Sequence, residues 1–172
     1  MEILDDFLDQ KEFNEIQTLM MSSKFPWFFA AAIDTETEVD EGIDKFMLTH
    51  LFHFDFSPQS PFCEQLRPIL IALNPLAIWR IKANLLTRTH DIVENTFHVD
   101  MPDLSEEKLK QWTTSIFYIN TNNGYTEFED GTKVESVANR MVIFPSNLKH
   151  TGTSCTDDKA RIVINFDYFE KQ

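Results

Sequence analysis

The sequence predicts a mainly β domain with helices at its N-terminal end, the β part being an antiparallel sandwich or barrel. Apolar residues recur at helical spacing only in the first half of the chain. From about Ile78 onward the pattern changes to short apolar or alternating runs separated by turn residues. Hydrophobic residues make up 42% of the 172, with 16 Phe, so one domain spanning 1–172 can bury a sizeable core. Helical support is expected over about 1–77 and the β core over about 78–169.

Residues 3–22 read as a short opening segment followed by a helix, with Phe13, Ile16, Leu19 and Met20 at helical spacing behind Asp9 as a cap. The helix cannot run through Phe25-Pro26-Trp27-Phe28-Phe29, because Pro26 holds Phe25 in extended geometry. That aromatic cluster is expected in the core, with the lip of a cleft as its other placement. Residues 30–45 are polar and acidic and read as a loop or an edge hairpin, and 46–56 read as extended. A second helix is expected from about Pro61 to Leu73, with Pro68 either kinking it or marking its real start. Strands follow at 78–87, 96–100, 114–120, 125–129, 133–137, 141–145 and 160–168. Glu129-Asp130-Gly131 supplies a hairpin turn, and a short polar helix over 104–111 is opened by Asp103 or Ser105.

The formal net charge is −13, without a cluster of Lys and Arg. Binding to phosphate backbones draws on counterion release by clustered cations, so a nucleic-acid partner is disfavoured. Cys63 and Cys155 lie far apart and outside any CxxC pattern, which argues against a disulfide framework and a cysteine zinc site. Met1 to Asp6 lack the basic and apolar regions of a signal peptide, and no stretch reaches the length of a membrane span. The expectation is a soluble cytoplasmic protein with no membrane partner.

The residues that carry chemistry are His98-Val99-Asp100 and, 50 positions after Asp100, His150. On a strand, residues i and i+2 share a face, so His98 and Asp100 can reach one metal together. His150 must arrive from a different strand or its end, just after the run Met141–Pro145. Two imidazoles and a carboxylate form a facial triad for non-haem Fe(II), with positions left open for a cosubstrate and dioxygen. Zinc takes the same trio with a water in the fourth position, so the ligands alone leave the metal open. A second pair with the same spacing, His53-Phe54-Asp55, has no further histidine at comparable distance except His98 and reads as part of an outer strand. His50 and His90 read as surface or loop residues.

Arg161 follows His150 by 11 positions, inside the strand-like run Arg161–Phe166. A guanidinium pairs bidentately with a carboxylate and keeps its charge when buried, so Arg161 can grip the far end of a dicarboxylate that chelates the metal. Its alternative is a surface residue salt-bridged to one of the 28 acidic side chains. Tyr118, in the strand Ser115–Asn120, can donate its hydroxyl to the same carboxylate.

These residues, together with Phe97-His98-Val99-Asp100, Ile116–Asn120, Asn123–Phe128, Asn139–Pro145, His150-Thr151-Gly152 and Arg161–Phe166, resemble the 2-oxoglutarate- and Fe(II)-dependent oxygenases of the prolyl 4-hydroxylase-like branch. That branch includes small phage-encoded members. Leu4–Leu8 followed by a helix is similar to the family's opening, so the likeness covers nearly the whole chain and is densest over about 78–169. The resemblance implies a double-stranded β-helix (a jelly roll) with helices packed on one sheet. It implies decarboxylation of 2-oxoglutarate to succinate, with dioxygen consumed and a substrate C–H bond hydroxylated; peptidyl proline or a free amino acid is the substrate class it suggests. It further implies that His98, Asp100 and His150 bind Fe(II) and that Arg161 and Tyr118 bind the distal carboxylate of 2-oxoglutarate. Asn84 lies where the family often has another cosubstrate-contacting polar residue; an inward amide satisfied by backbone is its equal alternative. One departure is Asn122-Asn123-Gly124 where many relatives place two adjacent glycines, a change compatible with a tight turn because Asn tolerates left-handed geometry. The loop at 85–97 and the helix at 104–111 would flank the iron entrance and carry no signature of a particular substrate.

Two other readings stand beside the oxygenase. A jelly-roll binding or structural module could retain a metal without turnover, since fold does not guarantee function. Arg161 and Tyr118 speak against it, because a purely structural metal needs no carboxylate clamp. Oxidative demethylation of nucleobases on a related scaffold is the other, and the charge of −13 counts against it.

Overall fold

The computed structural model describes residues 1–31, 33 and 46–170. Most of the acidic stretch expected as a loop or edge hairpin therefore lies outside the described residues. In chain order, β1 (Glu2–Leu4) leads into α1 (Gln10–Met20), followed by β2 (Phe28–Ala30), β3 (Met47–Phe54) and β4 (Ser57–Pro58). A 3-10 helix over Pro61–Leu66 continues into α2 (Arg67–Leu73), and then come β5 (Ala77–Thr87) and the short α3 (Glu106–Leu109). The remaining strands are β6 (Thr113–Tyr118), β7 (Tyr125–Phe128), β8 (Lys133–Glu135), β9 (Met141–Pro145), β10 (His150–Gly152) and β11 (Ala160–Phe169).

The helices form where their caps allow. Asp9 caps α1, its Oδ1 accepting from the Lys11 N–H at 2.9 Å, and Phe13, Ile16 and Met20 form the buried stripe. Ser60 caps the 3-10 helix by accepting from the Phe62 N–H at 3.1 Å. Pro68 falls in the first turn of α2, where its missing N–H costs no bond, so it marks the helix start and does not kink it. Asn74 closes α2 in the left-handed conformation, φ 47°.

The strands form two antiparallel sheets. The larger runs β1-β9-β6-β11-β5-β3-β2, with β4 paired to β3; the smaller runs β10-β7-β8. Alternation along the central strands separates two apolar layers. Ile116, Tyr118, Val142, Phe144 and Val163 face Phe128 and Val134 of the smaller sheet. Phe117, Ile162, Ile164 and Phe166 face the other way, onto Phe13 and Ile16 of α1 and Ile69 of α2. This is the expected jelly roll with helices packed on one sheet.

Several expectations need correcting. The stretch 96–100 is not a strand: it makes a single isolated bridge between His98 and His150. Its side chains are drawn to other partners, and Pro102 just beyond has no N–H with which to extend a ladder. The helix at 104–111 shrinks to Glu106–Leu109 behind Ser105. The 25–29 cluster is divided: Phe25 is core, whereas Phe28 and Phe29 on the edge strand β2 are 60% and 69% exposed. His50 is buried on β3 and is not a surface residue. Its Nδ1 lies 2.7 Å from the Pro26 carbonyl and its Nε2 2.8 Å from Ser60 Oγ, among the rings of Phe25, Phe52 and Phe62. His90 is exposed, as expected.

Candidate metal centre

His98 and Asp100 come from the irregular segment between β5 and α3, and His150 opens β10. Reciprocal backbone hydrogen bonds between His98 and His150, each 3.0 Å, tie the segment to that strand. Ligand atoms of His98, Asp100 and His150 all lie within 4.8 Å of one another. Neither His53 on β3 nor Asp55 in the turn after it joins them.

The local hydrogen bonds prepare both imidazoles. His98 Nδ1 lies 2.9 Å from the Thr96 carbonyl and His150 Nδ1 3.2 Å from that of Leu148. A carbonyl can only accept, so each Nδ1 carries the proton and each Nε2 presents a lone pair. His150 Nε2 is buried without a hydrogen-bond partner and stands 3.7 Å from Asp100 Oδ2. Leaving a buried acceptor bare is costly. A bare imidazole nitrogen beside a carboxylate oxygen fits a divalent cation. Burial holds the His150 pKa below its ordinary value, against the pull of Asp100, and so keeps the ring in the neutral form that a ligand needs.

Asp100 is held from behind by residues the sequence reading did not single out. Its Oδ1 pairs with Arg80 Nη2 at 2.6 Å, and its Oδ2 accepts from Asn165 Nδ2 at 3.3 Å. Arg80 also donates through Nε to Asp167 Oδ2 at 2.8 Å, and Thr114 donates to the other Asp167 oxygen at 3.0 Å. Burial pushes the Asp100 carboxyl up, yet Arg80 and the two histidines outweigh it and hold the pKa below the usual range. Asp167, fully buried and beside the Asp100 charge, is pushed up to about 7 despite Arg80. This chain of contacts leaves no trace in the sequence, because Arg80 and Asp167 are far apart in sequence and meet only through the β5–β11 register.

Arg161 lies on β11 and is 3% exposed, so it is not the surface residue of its alternative reading. Its Nε donates to Ser136 Oγ at 2.8 Å and its Nη2 to Thr126 Oγ1 at 2.9 Å. Among the described residues no carboxylate lies within ion-pair distance of it. Burial lowers its pKa, but an arginine keeps its charge in such a site. The Tyr118 hydroxyl donates to Thr126 Oγ1 at 2.8 Å, and the Tyr118 ring lies under the guanidinium at 5.6 Å. Tyr118 is thus placed behind Thr126, and Thr126, which accepts from both neighbours, has its own proton free to donate. Two glycines make room for Arg161: a Cβ at Gly124 would stand 2.7 Å from its Cδ, and one at Gly152 3.1 Å from its Nη1.

The triad, Arg161, Thr126 and Asn84 line one cavity of about 570 Å³. The Asn84 carboxamide oxygen is buried there without a partner, so the backbone does not satisfy it. The oxygens of Asn95 and Asn165, on the same cavity, are also unpartnered.

No protein-family model matches the chain, and no curated protein matches it by sequence. Solved structures do match by fold. A prolyl hydroxylase in complex with a hypoxia inducible factor oxygen degradation domain peptide fragment, from Trichoplax adhaerens, is similar at TM-score 0.68 and 13% identity, over 98% of this chain and 83% of that one. An oxidoreductase of the 2OG-Fe(II) oxygenase family from Burkholderia pseudomallei is similar at TM-score 0.67 and 12% identity, over 99% and 85%. The epimerase SnoN in complex with Fe3+, alpha ketoglutarate and nogalamycin RO is similar at TM-score 0.67 and 12% identity, over 98% and 78%. The chain has the double-stranded β-helix fold of prolyl hydroxylases and 2-oxoglutarate Fe(II) oxygenases. Among the described residues no helix is long and apolar enough to cross a membrane.

Proposed function

We propose that this chain is a 2-oxoglutarate- and Fe(II)-dependent oxygenase of the prolyl hydroxylase-like branch that hydroxylates a C–H bond of a small-molecule or peptide substrate. The observation that carries this reading is a pair of unmet needs in one cavity: a bare His150 Nε2 facing Asp100, and a buried Arg161 with no acid partner among the described residues. The first suits a cation and the second a carboxylate.

In this reading His98, Asp100 and His150 hold the iron, which when bound supplies the activation of dioxygen that is coupled to conversion of 2-oxoglutarate to succinate. Arg161 and the Thr126 hydroxyl orient the distal carboxylate, and Tyr118 supports both from beneath. Asn84 is the further polar contact along the cosubstrate. Arg80 and Asn165 fix the Asp100 carboxylate. A purely structural jelly-roll module would leave Arg161 charged, buried and without a purpose, which favours the enzymatic reading. The test is succinate formation dependent on both iron and 2-oxoglutarate. If the protein binds neither, and His98→Ala changes nothing, the proposal fails.

A further inference from the structure

One cation in the cavity is not accounted for by iron and cosubstrate. Alternation along β5 points Arg80, Lys82 and Asn84 to the cavity side of the sheet. Arg80 is compensated twice, by Asp100 and Asp167. Lys82, half-buried between them and Asn84, has neither an ion pair nor a hydrogen-bond acceptor among the described residues. In the oxygenase reading the divalent ion and the 2-oxoglutarate dianion offset each other, Arg161 takes the distal carboxylate, and Arg80 is held by Asp100 and Asp167. Asp103 also lines the cavity but makes no ion pair with Lys82, so among the described residues Lys82 is the lining cation without a direct partner.

The same end of the cavity is aromatic. Trp79 is the residue that the β5–β11 register skips, since Arg80 pairs with Asp167 and Ile78 with Tyr168. This bulge lets Trp79 and Arg80 both line the cavity. Phe54 lines it too and packs on Trp79 at 5.3 Å, and Phe56 packs on Trp79 at the same centroid distance, 5.3 Å. Phe54 is 42% and Phe56 57% exposed. Asp55 and Phe56 between β3 and β4 both have positive φ, 49° and 59°. A phenylalanine in that region is strained, and such strain gathers at ligand-binding edges.

We propose that the second ligand of this cavity is a monoanionic organic acid with an apolar body, its carboxylate paired with Lys82 and its body packed on Trp79 and Phe54. This rests on the oxygenase reading and narrows its substrate class. An ammonium with no protein partner gains most from a carboxylate, and exposed aromatic faces gain from apolar contact. A cavity of about 570 Å³ holds a five-carbon diacid with space left for such a molecule.

The test uses the whole chain loaded with Zn(II), which cannot turn over, and calorimetric titration with 3-phenylpropionate and its isosteric amide, 3-phenylpropionamide. Each titration is run with and without 2-oxoglutarate. The acid is expected to bind about tenfold more tightly than the amide. Lys82→Met is expected to erase that preference while leaving amide and 2-oxoglutarate binding within about twofold, and Lys82→Arg to keep it. Trp79→Ala should weaken acid and amide alike. Equal affinity for the two probes, binding of neither, or a loss of 2-oxoglutarate affinity in Lys82→Met each overturns the proposal; the last would put Lys82 on the cosubstrate. If wild-type protein fails to bind 2-oxoglutarate, the oxygenase reading falls on its own, because the Lys82-dependent preference is still read in the titrations without it.

Discussion

Arg80 and Asp100 meet at 2.6 Å through Nη2 and Oδ1, and this contact leaves the carboxylate with one oxygen, Oδ2, turned toward His150. One lone-pair face of the acid is committed to the arginine, so a metal would find a monodentate ligand whose direction is already set. Arg80 therefore positions Asp100 and is not itself a ligand. Arg80→Gln is expected to weaken divalent-metal binding by about 10–100-fold, as loss of a ligand's supporting partner commonly does. A competition titration with a chromophoric chelator measures it, and unchanged affinity would show that Asp100 is oriented without Arg80.

Gly124 is needed because Arg161 runs directly past it. A methyl group there would stand 2.6 Å from the Ser154 carbonyl oxygen and 2.7 Å from Arg161 Cδ. Backbone cannot yield at such distances, so Gly124→Ala is expected to displace the guanidinium and destabilise the fold by about 1–3 kcal/mol. Affinity for 2-oxoglutarate should fall more than tenfold while metal affinity stays near wild type. Gly152→Ala, whose nearest contact is Arg161 Nη1 at 3.1 Å, should do less.

Thr126 accepts from both Tyr118 and Arg161. Thr126→Val strands two buried donors at once, which costs about 1–3 kcal/mol for each group left unpaired. Tyr118→Phe removes one donor and leaves the Thr126–Arg161 bond in place. The threonine change should therefore be the more damaging to both thermal stability and 2-oxoglutarate binding. A larger effect on cosubstrate binding from Tyr118→Phe would mean that the tyrosine hydroxyl reaches the ligand directly.

His50 and His53 sit on β3 with pKa values lowered from the ordinary 6.5, burial being the first cause for each. A depressed histidine pKa means that the unfolded chain takes up the proton first as the pH falls. Their contribution to stability is thus intact above 6.5 and is lost on acidification through that value, levelling off below the folded pKa. Asp167, with its raised pKa, pulls the other way over the same range, so the histidine contribution is read as a difference: between about pH 8 and about pH 5 the melting temperature of wild type should lose more, or gain less, than that of His50→Gln. An identical pH dependence in the two proteins would contradict the assignment.

Much of the architecture is legible in the sequence because it depends on local pattern. Short apolar runs between turn residues mark β6, β9 and β11, the Asp9 cap marks α1, and Pro68 offers the start of α2 as one of its two readings. His98, Asp100, His150 and Arg161 stand out because their residue types and order are unusual for inert surface. Less legible is what depends on register. Asp100 is held by Arg80 and Asn165, and Arg80 in turn by Asp167, a set brought together only when β5 pairs with β11. The strand expected at 96–100 fails because the segment makes one bridge to His150 and no continuing ladder, which alternation in the sequence alone does not reveal. For Tyr118, only the fold shows that its hydroxyl bonds Thr126 and that Thr126, not the tyrosine, lines the cavity.

The central claim is that one cavity binds a metal on His98, Asp100 and His150 and a dicarboxylate on Arg161. Its most direct test is calorimetric titration of 2-oxoglutarate into protein loaded with Mn(II), compared with metal-free protein, His150→Ala and Arg161→Leu. Binding should require the metal, disappear together with metal binding in His150→Ala, and disappear in Arg161→Leu while metal binding survives. Cosubstrate binding that is independent of the metal, or that survives in Arg161→Leu, would contradict it.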